Sequence, residues 1–242
     1  MMENNLNENI LPKNYFIAYF DILGYEEKIK QDIEEKNMNT YDAIKMCISI
    51  AKRIIELNPN EIKMKVFSDN FFFCTENSYL KLLSFIGCLQ SALSSVDIFV
   101  RGSIIFDEDF IYGKGIINAF KLESEISIFP RIIIDDSFFN SIKKIEKDDI
   151  LSILENNQLY NISRKIDFDN FQYLNYLDIL KDYKEKGEKD INKFIEILSN
   201  HADNIKLNLK NQSKNIQQKY QWCRKYHNEF CIKYNYTDLL IN

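Results

Sequence analysis

The sequence predicts an α+β domain of the ferredoxin-like or palm type, followed by a helical appendage. Three observations carry this. Short apolar runs alternate with stretches of helical spacing in the order β-α-(α)-β-β-α-β-(β)-α-β, which contains a βαββαβ series. Two of the runs, Met64-Lys65-Val66-Phe67 and Phe71-Phe72-Phe73-Cys74, are separated only by Ser68-Asp69-Asn70, as in a hairpin. From about residue 137 onward the pattern turns mostly helical.

Residues 1–14 read as a loose tail. Tyr15-Phe16-Ile17-Ala18-Tyr19-Phe20 is an aromatic, apolar run of strand length that ends at Asp21-Ile22-Leu23-Gly24-Tyr25. Helices are expected over about 25–35 and 40–57. The second has Ile44, Cys47, Ile48, Ala51, Ile54 and Ile55 at helical spacing, Thr40 as N-cap and Asn58-Pro59-Asn60 as its stop. The hairpin follows, with Asp69 at its turn. Residues 78–94 read as an apolar helix, and Asp97 to Phe106 as a strand through Arg101-Gly102-Ser103-Ile104. Phe110-Ile111-Tyr112 can add a short strand. After Gly113-Lys114-Gly115 a helix is expected to about 127, then a strand from Phe129 to Ile134. Two helices, about 188–210 and 212–235, end the chain. The expected organisation is a tail at 1–14, a core at 15–145 and a mostly helical appendage at 146–242.

Composition removes several function classes. A formal net charge of −5 argues against a general polyanion binder, so nucleic acid is an unexpected partner. No apolar run of membrane-spanning length occurs, and the polar, acidic start is unlike a signal peptide; a cytoplasmic protein with no membrane partner is expected. The five cysteines are odd in number and form no CxxC pair, which suggests neither a disulfide framework nor a zinc site. With only His201 and His227 present, acid–base or metal chemistry falls to carboxylates, whose natural partners are hard ions such as Mg²⁺ or Mn²⁺. Arginine is scarce, at 53, 101, 131, 164 and 224. An arginine kept in so lysine-rich a chain marks a place where lysine would not serve.

Asp21 closes the first strand and Asp69 sits in the hairpin turn. In a palm-type sheet those strands are neighbours, so both carboxylates can meet at one end and form half a shell for divalent ions. Each aspartate can equally cap a turn. Lys65 shares a strand face with Asp69, where it can contact a base or phosphate or run along an edge. Gly113-Lys114-Gly115 can cradle phosphate or simply turn the chain into a helix. Arg131 can position its strand or reach phosphate. Trp222 and Tyr226 share a helix face with Lys219 and Cys223, as in a docking helix; His227 or Arg224 near a nucleotide is the sharper alternative.

FDILGY, Phe20–Tyr25, resembles the opening motif of the class III nucleotide cyclases, the adenylate/guanylate cyclase catalytic domain. KVFSD, Lys65–Asp69, is similar to that family's hairpin, RGSI (Arg101–Ile104) to its phosphate-reaching strand, and AFKLE (Ala119–Glu123) to its last helix. Together with FSD and PRIII, the set also resembles a divergent bacterial branch near the pyrimidine cyclases of phage-defence systems. The resemblance covers about residues 15–135. It implies a nucleotide cyclase core that converts a nucleoside triphosphate to a cyclic mononucleotide and pyrophosphate with two Mg²⁺ or Mn²⁺ ions. In it Asp21, Asp69 and the Ile22 carbonyl would hold metal. Lys65 would read the base, Gly24, Tyr25 and Arg131 would lie at the substrate, and Arg101 would meet the phosphates. A homodimer is implied, because the family builds its site between two subunits.

The departures fall on transition-state support. The family's arginine position is Lys121 and its asparagine position Ile117, with Asn118 one residue off, a rotation of about 100° on a helix. Ser68 replaces the hairpin glycine, and the second base-reading position falls near Phe110 and Tyr112. A second expectation is therefore a cyclase-like module that binds a nucleotide or partner without turnover. A third, an RNA binder using the basic terminal helices, is opposed by the net acidity.

Overall fold

The computed structural model describes residues 13–56, 61–108, 114–145, 164–184, 188–211 and 213–242. In chain order the elements are β1 (Asn14–Ile22), α1 (Tyr25–Glu34), α2 (Asn39–Glu56), β2 (Lys63–Phe67), β3 (Asn70–Thr75), α3 (Tyr79–Ser95) and β4 (Val100–Glu108). There follow α4 (Lys114–Lys121), a π turn (Leu122–Ile126), β5 (Ile132–Ile134), α5 (Asp136–Ile145), β6 (Arg164–Ile166) and β7 (Gln172–Leu174). Helices α6 (Tyr176–Lys184), α7 (Glu188–Asn208) and α8 (Lys214–Lys233) and a 3₁₀ turn (Thr237–Leu239) complete the chain. No helix among the described residues is long and apolar enough to cross a membrane.

The strands form one sheet in the order β2-β3-β1-β4-β5-β7-β6. Its first four strands are antiparallel in the ferredoxin-like order, with β1 flanked by β3 and β4. The fold is therefore the expected α+β type. β5 runs parallel to β4, which requires the crossover that α4 and the π turn supply.

Alternation along β1 separates two faces. Phe16, Ala18 and Phe20 enter the main core with Phe71, Phe73, Ile104 and Phe138, beneath α2, α3 and α5. Ile17 and Tyr19 face the other way, into a small core with Cys74, Ile105 and Ala119 of α4. This second face is only partly covered, and Phe67, Ile117 and Phe120 remain 78%, 54% and 50% exposed. A third core joins α6, α7 and α8 to Leu23, Phe99 and Tyr173 at one end of the sheet. Phe194 faces Phe230 and His201 faces His227, so α7 and α8 run antiparallel.

The sheet does not end near residue 145. Ile133 pairs with Tyr173, and β6 and β7 extend the sheet from beyond the expected core. Three-residue strands show too little alternation to stand out from a helical background. The strand expected from Phe129 shortens to Ile132–Ile134, because Pro130 has no N–H to give and the Arg131 amide turns back to Phe129 O. The helix expected to 127 ends at Lys121, where the coil widens into the π turn, closed by Ser127 N to Leu122 O at 3.0 Å. Thr40 is not the N-cap: α2 begins at Asn39, and Asp32 takes the Thr40 amide at 2.9 Å. Residues 1–12 of the expected tail, Asn58-Pro59-Asn60, Phe110-Ile111-Tyr112 and Gly113 lie outside the described residues.

Candidate active site

The β1 end of the open face gathers the charged residues. Asp21 stands opposite Asn70 of β3 and Arg101 of β4 in the strand register. Asp69 lies in the β2–β3 turn, and its carbonyl accepts the Ile22 amide at 3.2 Å. Both aspartates are thus at the same end of the sheet, and the Asp69 charge helps raise the pKa of Asp21. Asn70 links this turn to β1: its Nδ2 donates to Asp69 Oδ1 at 2.9 Å, and its Oδ1 accepts the Tyr19 hydroxyl. Ser68 enters the turn at φ 56°, the left-handed region that a glycine would occupy at lower cost, by roughly 1 kcal/mol.

Arg101 reaches across to Asp21 with two hydrogen bonds, Nε to Oδ1 at 3.1 Å and Nη2 to Oδ2 at 3.3 Å. Its Nε also lies 2.8 Å from Glu123 Oε1. Gly102 next to it lets β1 and β4 close: a Cβ there would stand 2.2 Å from the Tyr19 carbonyl oxygen. Glu123 is 2% exposed, and the π turn delivers it to the sheet. Burial first, then the Asp21 charge, pushes its carboxyl up to about 7. Burial likewise raises Asp21, against the pull of Arg101. Two aspartates and a main-chain carbonyl are hard oxygen donors of the kind Mg²⁺ or Mn²⁺ takes. Among the described residues no three His, Cys, Asp or Glu make a cage by themselves, so water and substrate oxygens would complete any shell, as is usual for Mg²⁺.

The other expected site residues divide. Gly24 is left-handed at φ 68° and exposed at the start of α1, with Lys28 N on its carbonyl at 3.0 Å. The ring of Tyr25 packs on the main core, and Ile22 is buried in it. Lys65 is exposed on the open face, in register with Phe72 and, beyond it, Tyr19. Asn118 and Lys121 line a separate cavity. Asn118 Nδ2 donates to Asp107 Oδ2 at 2.6 Å, and both line a cavity of about 360 Å³ with Glu125 and Asp135. Asp107 is six residues along β4 from Arg101, or about 20 Å.

Arg131 is engaged inside the fold. It is fully buried, and its guanidinium binds Asp167 and Asp169 in the β6–β7 turn, with Nη1 to Asp169 Oδ1 at 3.0 Å. Trp222 joins them, its Nε1 donating to Asp167 Oδ2 at 2.6 Å. That arginine needs a planar fork because it bridges two carboxylates. His227 is buried against His201 in the third core.

Sequence reasoning missed Glu123 and Lys219. Glu123 was visible as the acidic end of Ala119-Phe120-Lys121-Leu122-Glu123, but nothing in the pattern marks it as buried. Lys219, on α8, shares an electrostatic neighbourhood with Arg101 and Asp21, a meeting that only tertiary docking creates.

The strand order and the acidic end of the sheet define a palm-type α+β domain. No family model matches the chain, and no curated protein matches it. Among solved structures it is similar to the adenylyl cyclase CyaB from P. aeruginosa, at 15% identity over 56% of this chain and 83% of that one, with a TM-score of 0.41.

Proposed function

We propose that this protein is a metal-dependent nucleotide cyclase that converts a nucleoside triphosphate to a cyclic mononucleotide and pyrophosphate. The observation that supports it most is Asp21 and Asp69 at one end of the sheet, bound through Ile22 N and Asp69 O. Asp21, Asp69 and the Ile22 carbonyl would hold Mg²⁺ or Mn²⁺, which supplies activation of the ribose 3′-hydroxyl and charge neutralisation at pyrophosphate. Arg101 places positive charge beside the reacting phosphate and keeps Asp21 oriented. Lys65, on the open face, would meet the base. Lys121 and Asn118, on α4, line a separate cavity with Asp107, so a second copy would supply them to the aspartates. The exposed Phe67, Ile117 and Phe120 suit the interface of such a homodimer. The resemblance to cyclases near phage-defence systems makes second-messenger synthesis in such a system the proposed role.

A second reading, nucleotide binding without turnover, is favoured by Arg101, which occupies both oxygens of Asp21, and by lysine at position 121. Incubating the protein with each of the four ribonucleoside triphosphates and Mn²⁺, then resolving products by mass, separates the two. A cyclic mononucleotide from any of them supports the cyclase; bound nucleotide with no product supports the second reading.

A further inference from the structure

We propose that Lys219, on the C-terminal helix α8, is a cation that holds the distal phosphates of the substrate, in a cavity between α1 and the α7–α8 pair. The proposal rests on the cyclase reading and names where its leaving group would be gripped. It makes the appendage part of the site instead of a cover for the core.

The cavity measures about 610 Å³, and its wall includes Gly24, Glu27, Lys28, Lys210 and Lys219. It begins at Leu23, two residues past Asp21, where the Leu23 amide is tied to Phe99 O at 2.9 Å. The ring of Tyr220 meets Phe99 edge-on at 5.1 Å between centroids. That contact fixes the turn of α8 carrying Lys219 over the end of β1.

Charge decides what the cavity takes. Lys28 is neutralised by Asp97, which also accepts Asn208 Nδ2 at 2.6 Å. Lys219 is half-buried and closes no ion pair among the described residues. Burial and the nearby Arg101 lower its pKa, while Asp21 and Glu27 raise it. A partly desolvated ammonium beside a guanidinium is an arrangement that a multivalent anion relieves. Glu27 faces the same space and opposes an anion; Lys219 and Lys210 together outweigh it. The first turn of α1 adds donors, since Lys28 N is the first amide to bond back, to Gly24 O, and the amides before it have no partner within the helix. A terminal di- or triphosphate chain fits this set, and a neutral ligand does not.

The test is calorimetric titration of the full-length protein with inorganic tripolyphosphate in a metal chelator. Wild type is expected to bind. Lys219→Met, which keeps the aliphatic stem, should weaken binding about tenfold or more, Lys219→Arg should retain it, and Lys225→Ala, exposed beside Glu229, should leave it unchanged. Equal affinity in wild type and Lys219→Met, or no binding by wild type, overturns the proposal. The readout needs neither metal nor turnover. A protein that binds tripolyphosphate through Lys219 yet forms no cyclic product would sink the cyclase reading and leave this one standing.

Discussion

Arg101 holds both carboxylate oxygens of Asp21 from the neighbouring strand, at 3.1 and 3.3 Å. The two residues are register partners, so the pairing follows from how β1 and β4 align. A lysine could not form this two-pronged contact, which accounts for an arginine in a chain that otherwise uses lysine. Asp21→Asn should remove cyclic product by about a hundredfold or more while costing roughly 1–2 kcal/mol of stability, because the pair is half-buried and Arg101 keeps Glu123. Product analysis and urea unfolding check both parts. Undiminished product would exclude Asp21 as a metal ligand.

Glu123 should make stability depend on pH near neutrality. Its folded pKa is raised from 4.5 to about 7, by burial and by Asp21. A raised value means the folded state holds the proton more tightly, so the contribution is complete below about 4.5 and is lost as pH rises through about 7. Glu123→Gln should flatten that slope and be the more stable protein at the alkaline end. Urea midpoints of both proteins across this range test it; parallel curves would refute it.

The buried histidines titrate in the opposite sense. The Leu239 carbonyl can only accept, so His227 Nε2 carries a proton at 2.9 Å from it. His227 Nδ1 must then accept from His201 Nδ1 at 2.9 Å, and His201 Nε2 from the Tyr176 hydroxyl at 2.9 Å. Neither ring has room for a second proton. Burial lowers both pKa values; the charge of His227 lowers His201 further, and that of Lys206 lowers His227. Lowered values mean that stability is complete above the unfolded pKa of about 6.5 and falls as pH drops through the folded values. The histidine contribution to melting should therefore fall as pH drops below about 6.5, against the rise from Glu123, and His201→Phe should remove that acid-side loss. An unchanged acid slope in the variant would assign the effect elsewhere.

The hairpin around Asp69 and the strand ending at Asp21 were readable because alternation and turn residues are local signals. The meeting of those strands followed from the βαββαβ order. For Arg131 the sequence shows that an arginine is special, not what it grips; its partners Asp167 and Asp169 belong to a turn between two three-residue strands that had no pattern to read. Glu123 and Lys219 were hidden for another reason: one depends on a π turn and the other on where a distant helix docks.

A shared site should show in complementation. If Lys121 and Asn118 serve the partner's aspartates, Asp21→Asn and Lys121→Ala are each inactive alone. Mixed, they form some heterodimers with one intact site, and about a quarter of wild-type activity should return. Phe120→Glu, on the open face, should weaken the dimer and abolish that recovery. No recovery on mixing, with both variants folded and dimeric, would rule out the shared arrangement.

The C-terminal helices should be inseparable from the core. Trp222 is 6% exposed, packs against Phe129 and Tyr173, and donates to Asp167. Through Asp167 it joins Arg131, so one hydrogen-bonded chain links α8 to the strand beside Arg101. Trp222→Ala should cost about 3–5 kcal/mol, since it leaves a cavity and an Asp167 oxygen with one partner fewer. Trp222→Phe keeps most of the volume but not the N–H, and should cost about 1–2 kcal/mol. Deleting residues 188–242 would expose Leu23, Phe99 and Tyr173 and remove Lys219 from the cavity beside Gly24. That truncation should fail to fold stably. A shortened chain that melts at the wild-type temperature would make these helices an independent module and would also remove the basis for placing Lys219 in the site.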